Sequence, residues 1–355
     1  MEHFSIGPID LGDGLPALLI AEIGLNHNGS AELAHQHIDA AARSGANMVK
    51  FQKRCPDALA TADFLDRPFH KCPQFGRTQR QVRERLELSL DDMRACKEHA
   101  EELGLLFTTS VFDIPSVEFA LQLSPDVLKV ASHSITNGPL LTRLAETRIP
   151  LIVSVGGAAP EEIDQALALL KDSPLVLMHC VSAYPTPENL VFLDTIQDLA
   201  TRYGKHVGFS GHEDGIEACV AAVTLGAKLI ERHFTLSRQM VGLDHRVSLE
   251  PAEFAEMARM IRRIERMRGV KPGILPQEHA ARLNYHVALC ANQALPAGTR
   301  LTEEMLTTKQ PLEDPAVFFT GLERDRLVGK TLTQTVTADT RIRRSWIEGA
   351  AEGQG

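Results

Sequence analysis

The hydrophobic residues in the first 270 positions fall into short continuous runs, each followed by polar residues and then by a segment with helical periodicity. Such runs are typical of parallel strands, because other parts of the protein cover both faces of these strands. The pattern predicts eight strands, which end near Gly24, Gln52, Ser110, Ser132, Gly156, Cys180, Gly211 and Phe234.

Helix-start signals support the segments predicted as helices. Ser89 and Asp92 have the spacing of a capping pair, and Pro160 and Pro251 stand where first-turn prolines belong. Eight strand-helix units in about 270 residues match a (β/α)8 barrel better than a doubly wound sheet, and no GxGxxG turn follows the first strand. We therefore predict an α/β fold, a TIM barrel over residues 1–270.

Three segments depart from this repeat. The stretch 55–88 is too long for an ordinary connection and contains three prolines, so we predict an insertion over the barrel mouth. Residues 271–282 are rich in glycine and proline, which predicts a linker. Residues 283–355 alternate threonine and valine between glycine-containing turns, which predicts a small β-rich domain.

Composition narrows the class of protein. A chain of 355 residues with 44% hydrophobic and 23% charged residues is an ordinary globular protein, and its net charge of -9 argues against nucleic acid as a partner. No apolar run approaches the roughly 20 residues of a membrane helix, and no secretion signal is recognisable, so we expect a cytoplasmic protein without membrane contact. The six cysteines lack CxxC spacing, and we expect reduced thiols.

Polar side chains stand at or just after the end of every predicted strand. In a barrel these ends meet on one face, where so many buried polar groups would cost several kcal/mol without partners. A bound ligand is therefore expected. The residues are Glu22, Asn26, His27, Lys50, Gln52, Thr109, Ser110, Lys129, Ser132, Ser154, His179, Ser182, Tyr184, Ser210, His212, Glu231 and His233.

Two histidines on adjacent strands, His212 and His233, suggest a metal site with positions left open for substrate. One histidine alone would more often be structural, and His179 and His245 remain open between the two interpretations. Lys50 and Lys129 lie inside apolar strands and need counter-charges. These come either from a carboxylate such as Glu22 or from an anionic ligand, and we favour the ligand.

Nine segments resemble, in order and spacing, the sialic acid synthase family, which condenses phosphoenolpyruvate with an N-acylated amino sugar. The tail ALPAGTRLTEEMLTTKQP resembles the antifreeze-like, SAF-type domain that follows the barrel in that family. The nine segments are AEIGLNHNGS, VKFQ, FTTSVFD, KVAS, SVGG, HCVSAYPTP, GFSGHEDG, LIERHFT and GLDHRVSLEP.

The resemblance implies a role for each matching residue. His212 and His233 would bind a divalent ion, manganese or magnesium, and Glu22 would be the central acid or base. Gln52, Tyr184 and Asp244 would face the sugar. A domain-swapped homodimer is also implied. The phosphoenolpyruvate pocket would be formed by Lys50, Lys129, Ser110, Ser132, Ser154, Ser182 and Ser210.

The chain departs from the family pattern in three places. His133 and Ser134 stand where the best-known members have an acidic residue after a KxxSG-type run. Gln310 replaces an arginine in a KRPG-like run, and Ser182 replaces asparagine. Because the first two departures lie on the sugar side, the acceptor stays open among N-acetylmannosamine, its 6-phosphate, a di-acylated deoxy sugar of the legionaminic or pseudaminic kind, and a less familiar sugar.

Two other classes of function remain. A metal-dependent aldolase or lyase on the same barrel would also use two histidines and lysines, and activity without phosphoenolpyruvate would favour it. A non-catalytic sugar-binding or cold-protection protein is the second alternative. The set Glu22, Lys50 and Lys129 argues against it, because binding alone does not need these residues.

Overall fold

The computed structural model describes residues 4–349, and the chain divides into two compact units, Met1–Arg268 and Gly269–Gly355. Residues 1–3 of the predicted barrel domain and residues 350–355 of the predicted second domain lie outside the described part. No helix within residues 4–349 is long and apolar enough to cross a membrane.

The first unit begins with an antiparallel hairpin that the sequence pattern did not predict, formed by β1 (Phe4–Ile6) and β2 (Ile9–Leu11). Phe4, Ile6 and Leu11 pack in one buried cluster with apolar residues from the amino-terminal halves of the barrel strands, such as Ile20 and Met48. The hairpin therefore covers the end of the barrel opposite the carboxyl ends of the strands.

Eight parallel strands form a closed barrel in which each strand pairs with its neighbours along the chain and the last pairs with the first. The predicted (β/α)8 barrel is confirmed. Ser132 differs from prediction, because its strand ends earlier and Ser132 begins a 3-10 turn. The strands are β3 (Leu18–Gly24), β4 (Met48–Lys53), β5 (Leu106–Val111), β6 (Leu128–Val130), β7 (Leu151–Ser154), β8 (Leu175–Cys180), β9 (Val207–Gly211) and β10 (Leu229–His233).

Helices follow the strands and bury their apolar faces against the outside of the barrel in the largest hydrophobic cluster. Ser89 and Asp92 form the predicted capping box, and Pro160 and Pro251 occupy first turns. The helices are α1 (Ala31–Arg43), α2 (Pro56–Leu59), α3 (Ala62–Leu65), α4 (Gln79–Leu86), α5 (Leu90–Glu102), α6 (Ile114–Leu121), α7 (Gly138–Thr147), α8 (Pro160–Leu169), α9 (Thr195–Tyr203), α10 (Glu217–Thr224) and α11 (Pro251–Glu265).

The insertion between β4 and α5 contains the short helices α2, α3 and α4. Val82 and Leu86 of α4 pack against Leu25, which follows β3, and against Leu243, which follows β10. The insertion therefore lies over the carboxyl ends of the first and last strands of the barrel.

The second unit contains α12 (Pro276–Tyr285), β11 (Ala288–Ala291), β12 (Leu306–Lys309) and α13 (Arg324–Leu327). The two strands pair antiparallel, and isolated bridges extend the pairing to other segments of the unit. The segment 271–282, expected as a linker, contains the first turns of α12. A separate apolar core forms around Leu289, Leu295 and Ile342.

Candidate active site

A polar cavity of about 200 Å³ opens at the carboxyl ends of the barrel strands. Ser182 is not among its lining residues, although its Oγ lies 3.1 Å from Ser132 Oγ. The structure brings twelve of the thirteen predicted site residues together in this lining: Glu22, Lys50, Gln52, Ser110, Lys129, Ser132, Ser154, Tyr184, Ser210, His212, His233 and Asp244.

Lys50 lies at the centre of a buried charge cluster. Strand pairing places Glu22 opposite Lys50, and Lys50 Nζ lies 2.8 Å from Glu22 Oε2 and 3.5 Å from Glu231 Oε1. The ammonium also donates a 3.0 Å hydrogen bond to Ser110 Oγ. Burial alone would lower the pKa of Lys50, but the two carboxylates outweigh burial and raise it above its ordinary value. Lys50 therefore stays charged.

Lys129 has a different environment. Its Nζ donates to Ser154 Oγ at 2.5 Å and to the Val130 carbonyl at 3.1 Å. Burial lowers the pKa of Lys129, and Glu231 opposes this shift without cancelling it. A dianionic or trianionic ligand would supply the negative charge that the protein leaves incomplete at this lysine.

Glu231 interacts with both lysines. The sequence predicted this residue at a strand end facing the site but gave it no role. Its Oε1 accepts a 3.1 Å hydrogen bond from Ser210 Oγ, and β9 and β10 pair these two residues directly. Burial would raise the pKa of Glu231, but Lys50 and Lys129 lower it well below its usual range. Glu231 is therefore a permanent carboxylate that balances the buried ammonium groups.

The Glu22 carboxylate is also held by the side-chain amide of Gln52. Gln52 Nε2 donates a 2.7 Å hydrogen bond to Glu22 Oε1, and the Gln52 oxygen accepts from the Arg54 guanidinium. The carboxylate thus has one oxygen toward Lys50 and the other toward Gln52. This double restraint orients Glu22 toward the cavity that it lines.

His212 and His233 lie side by side, with ring centroids 5.6 Å apart. The Val181 carbonyl can only accept, so the 3.1 Å contact assigns the proton of His212 to Nδ1. Burial, with a smaller contribution from His233, lowers the pKa of His212 to about 3. The ring is therefore neutral and its Nε2 carries a free lone pair.

The donor set fits a divalent ion bound with open positions. A neutral imidazole whose Nδ1 is held by a hydrogen bond is the usual form of a ligating histidine, and His212 has this form. The buried Nδ1 of His233 has no hydrogen-bond partner. Residues 4–349 contain no group of three or more His, Cys, Asp or Glu side chains arranged to hold an ion. Substrate or water would complete the coordination.

Five other polar residues considered from the sequence do not line the cavity: Asn26, His27, Thr109, His179 and His245. His179 Nε2 donates to the Val191 carbonyl at 2.7 Å, and His245 Nδ1 lies 2.7 Å from Thr235 Oγ1. Asn26 Nδ2 donates to the Phe234 carbonyl at 2.8 Å, and His27 Nδ1 accepts from a backbone amide. Asn26, His27, His179 and His245 therefore each have a hydrogen-bond partner within the protein.

The cavity also contains residues that the sequence did not assign to it, namely Arg54, Phe112, Ala131, His133 and Cys180. Arg54 follows Gln52 by two positions, and this spacing along a strand was the signal that could have identified it. Ser134 is buried and outside the lining. In the second unit, Gln310 is exposed and donates to the Tyr285 carbonyl at 2.6 Å.

Known proteins resemble this chain over nearly its whole length. The chain is 36% identical over 342 residues to the N-acetylneuraminate-9-phosphate synthase of Homo sapiens, covering 94% of this chain and 93% of that protein. It is 35% identical over 338 residues to the N,N'-diacetyllegionaminic acid synthase of Campylobacter jejuni, covering 92% and 98%.

A solved structure is also similar to this chain. The N-acetylneuraminic acid synthetase of Leptospira borgpetersenii, crystallised with citrate, superposes with a TM-score of 0.68 at 33% identity, over 79% of this chain and 95% of that one. Residues 37–272 match the NeuB family. The chain therefore belongs to the NeuB family.

Proposed function

We propose that this protein condenses phosphoenolpyruvate with the open-chain aldehyde of an N-acyl amino sugar, giving a sialic-acid-type nonulosonic acid and phosphate. One observation carries the proposal: two buried lysines, Lys50 and Lys129, share a cavity with the neutral imidazole of His212. The lysines suit a small polyanion, and the imidazole suits a metal-activated carbonyl.

Phosphoenolpyruvate would bind at the lysine side. Lys129 Nζ and Ser154 Oγ lie 2.5 Å apart, so one anionic oxygen can accept from both groups. Ser132 and Ser182, whose hydroxyls lie 3.1 Å apart, offer two further donors. Several charge-assisted hydrogen bonds of this kind hold carboxylates and phosphates strongly.

Manganese or magnesium would be held by His212 and His233, with Tyr184 packed 4.2 Å from the His212 ring, centroid to centroid. A bound divalent ion would polarise the aldehyde oxygen of the acceptor. The fixed Nδ1 proton of His212 keeps the ligating nitrogen pointed into the cavity. Gln52, Tyr184 and Asp244 would orient the sugar hydroxyls.

Glu22 would handle charge and protons during bond formation. C3 of phosphoenolpyruvate attacks the aldehyde carbon, and the aldehyde oxygen becomes a hydroxyl as it takes up a proton. Positive charge then develops at C2, where the Glu22 carboxylate stabilises it. Water adds at C2 and gives one proton to Glu22, which passes it to the oxygen that came from the aldehyde. The bond between C2 and the phosphate oxygen then breaks, the C2 hydroxyl becomes the ketone, and the phosphate leaves with the second proton of the water.

A further part of the proposal concerns the second unit and the assembly of the protein. We propose that residues 283–355 are an SAF-type domain and that the protein is a cytoplasmic, domain-swapped homodimer, as the resemblance implies. Multi-angle light scattering of the purified protein tests the assembly, because a dimer of a 39.0 kDa chain has about twice that mass. A monomer at micromolar concentration would contradict it.

The function is tested by measuring phosphate release from phosphoenolpyruvate with a panel of N-acyl amino sugars, with manganese or with chelator. We expect release that requires both the sugar and the metal. Cleavage or formation of the sugar acid without phosphoenolpyruvate would favour the aldolase alternative. Sugar binding without turnover under every condition would favour the non-catalytic one.

A further inference from the structure

A second cavity of about 180 Å³ adjoins the first, beneath the insertion between β4 and α5. Arg54 and His133 line both cavities, so the two spaces share a wall formed by these side chains. Leu25, Phe69 and Leu243 supply apolar walls, and Arg83 faces the same space. Of its ten lining residues, two are arginines, one is a histidine and none is acidic.

The Arg54 guanidinium retains most of its hydrogen-bonding capacity. One of its five N–H donors contacts the Gln52 side chain, and the group lies 4.6 Å from the centroid of the Phe112 ring. Glu87, Asp244 and Glu22 act on the Arg54 guanidinium at longer range, in that order of strength, but no carboxylate of residues 4–349 lies within ion-pair distance of it. Its neighbour Lys53, by contrast, is paired with Glu87 at 2.9 Å.

Arg83 and His133 add to the same basic surface. Arg83 lies 5.1 Å from the Phe64 ring centroid, and within the described residues it too has no carboxylate at ion-pair distance. The His133 ring stacks on Phe112 with centroids 5.0 Å apart. Burial lowers the pKa of His133, and Arg54 lowers it further, so the ring is neutral at neutral pH.

Partly buried arginines without counter-ions are costly, and an anion held by their N–H groups in an apolar setting would offset that cost. We propose that this second cavity receives an anionic group, a phosphate or a carboxylate, at the end of the acceptor sugar distant from its aldehyde. Arg54 and Arg83 are then residues that determine acceptor specificity. This inference rests on the proposed function, because it names the class of acceptor for the same site.

The relatives of this chain do not decide the matter by their names. One is named for a 9-phosphate product and the other for a di-acetylated sugar acid without phosphate. The basic, acid-free lining of the second cavity favours a charged acceptor in this protein. Phosphate and carboxylate each offer a pair of oxygens that can accept two parallel N–H bonds from an arginine guanidinium.

The test compares three acceptors that differ at one end: N-acetylmannosamine, its 6-phosphate and the corresponding 6-carboxylate. We expect the wild-type kcat/KM to be roughly 10- to 100-fold higher for an anionic acceptor than for the neutral one, the range for a charge-assisted hydrogen bond. Arg54→Gln and Arg83→Gln should each reduce this ratio about 10-fold. The better of the two anions identifies the group.

Replacing Arg54 could lower the ratio indirectly, because Arg54 also contacts Gln52. Arg83 has no contact with Gln52, so Arg83→Gln tests the anion site without this disturbance. Arg67→Gln is the control, since Arg67 is exposed, pairs with Asp63 and lines neither cavity. It should leave the ratio unchanged. A wild-type ratio of one or less, or a ratio that neither cavity variant changes, would overturn the inference and leave the proposed function intact.

Calorimetric binding of the sugar 6-phosphate and of the neutral sugar, without phosphoenolpyruvate, separates the two proposals. Tighter binding of the phosphate that weakens in Arg83→Gln, together with no turnover of any acceptor, would contradict the proposed function and support the anion site. Equal binding of the two sugars by wild type would contradict the anion site.

Discussion

Lys50 Nζ lies 2.8 Å from Glu22 Oε2, in a site where the two side chains are only 3% and 2% exposed. Their strands pair these residues directly, so the ion pair follows from the register of the barrel. Buried charges at this distance are strongly interdependent, because removing one leaves the other without compensation. Stability and catalysis are therefore coupled at this pair.

Replacing Lys50 should destabilise the fold. In Lys50→Met, Glu22 and Glu231 would face each other without their shared cation, and we expect the free energy of unfolding to fall by about 3–5 kcal/mol. Urea denaturation measures this change. Lys97→Met is the control, because its pair with Glu101 is on the surface and should contribute at most about 0.5 kcal/mol. Equal stability of the two variants would show that the buried cluster is not energetically linked.

Replacing Glu22 should affect turnover more than substrate binding. Glu22→Gln keeps the shape and the contact with Gln52 but removes the charge that stabilises C2 and accepts a proton. We expect kcat to fall by roughly 10²- to 10⁴-fold, the usual contribution of a general acid or base. Steady-state kinetics with circular dichroism as a folding check measures this. Glu32→Gln, exposed in the first turn of α1, should behave as wild type. A kcat within about threefold of wild type would exclude Glu22 from the chemical step.

Replacing His233 should remove metal dependence while leaving the fold intact. We expect His233→Ala to lose metal-dependent phosphate release and to bind manganese at least roughly 10-fold more weakly, because one of two protein ligands is gone. Titration followed by electron paramagnetic resonance reads metal binding without turnover. His99→Ala, whose imidazole contacts Asp39 on the surface side of α5, is the matched control. Undiminished turnover of His233→Ala would contradict the assignment.

The buried His37 should make stability depend on pH. Burial lowers the pKa of His37 to about 4 in the folded protein, whereas the unfolded chain has the ordinary value of 6.5. Between these values the unfolded state binds more protons, so stability is fully present above pH 6.5 and falls as the pH decreases toward 4. The loss should reach about 3 kcal/mol, at roughly 1.36 kcal/mol per pKa unit.

Urea denaturation at several pH values between 7 and 4 tests this prediction against His37→Gln, which cannot titrate. The His37 Nδ1 donates to the Leu33 carbonyl at 2.7 Å, and the glutamine amide can replace that donor. The variant should show a shallower pH slope. An identical slope in both proteins would assign the pH dependence to other groups.

The sequence alone was sufficient for the architecture and for most of the cavity. The eight apolar runs are correctly predicted as strands, because strands buried on both faces lack the alternation of hydrophobic and polar residues. The barrel then brings the carboxyl ends of all eight strands to one face. His212 and His233 were recognisable because they stand at the ends of adjacent strands. Their positions in the sequence were enough to predict that both histidines line the cavity.

The tertiary structure decided what no local pattern encodes. The register between strands places Glu22 against Lys50 and leaves Glu231 between two lysines, whereas the sequence shows only that each lies near a strand end. Arg83 of α4 shares a cavity with Arg54 because the insertion folds back over the barrel mouth, where α4 packs against loops that are distant in the sequence. Composition and periodicity report how each segment is buried, but only three-dimensional packing determines which charges meet.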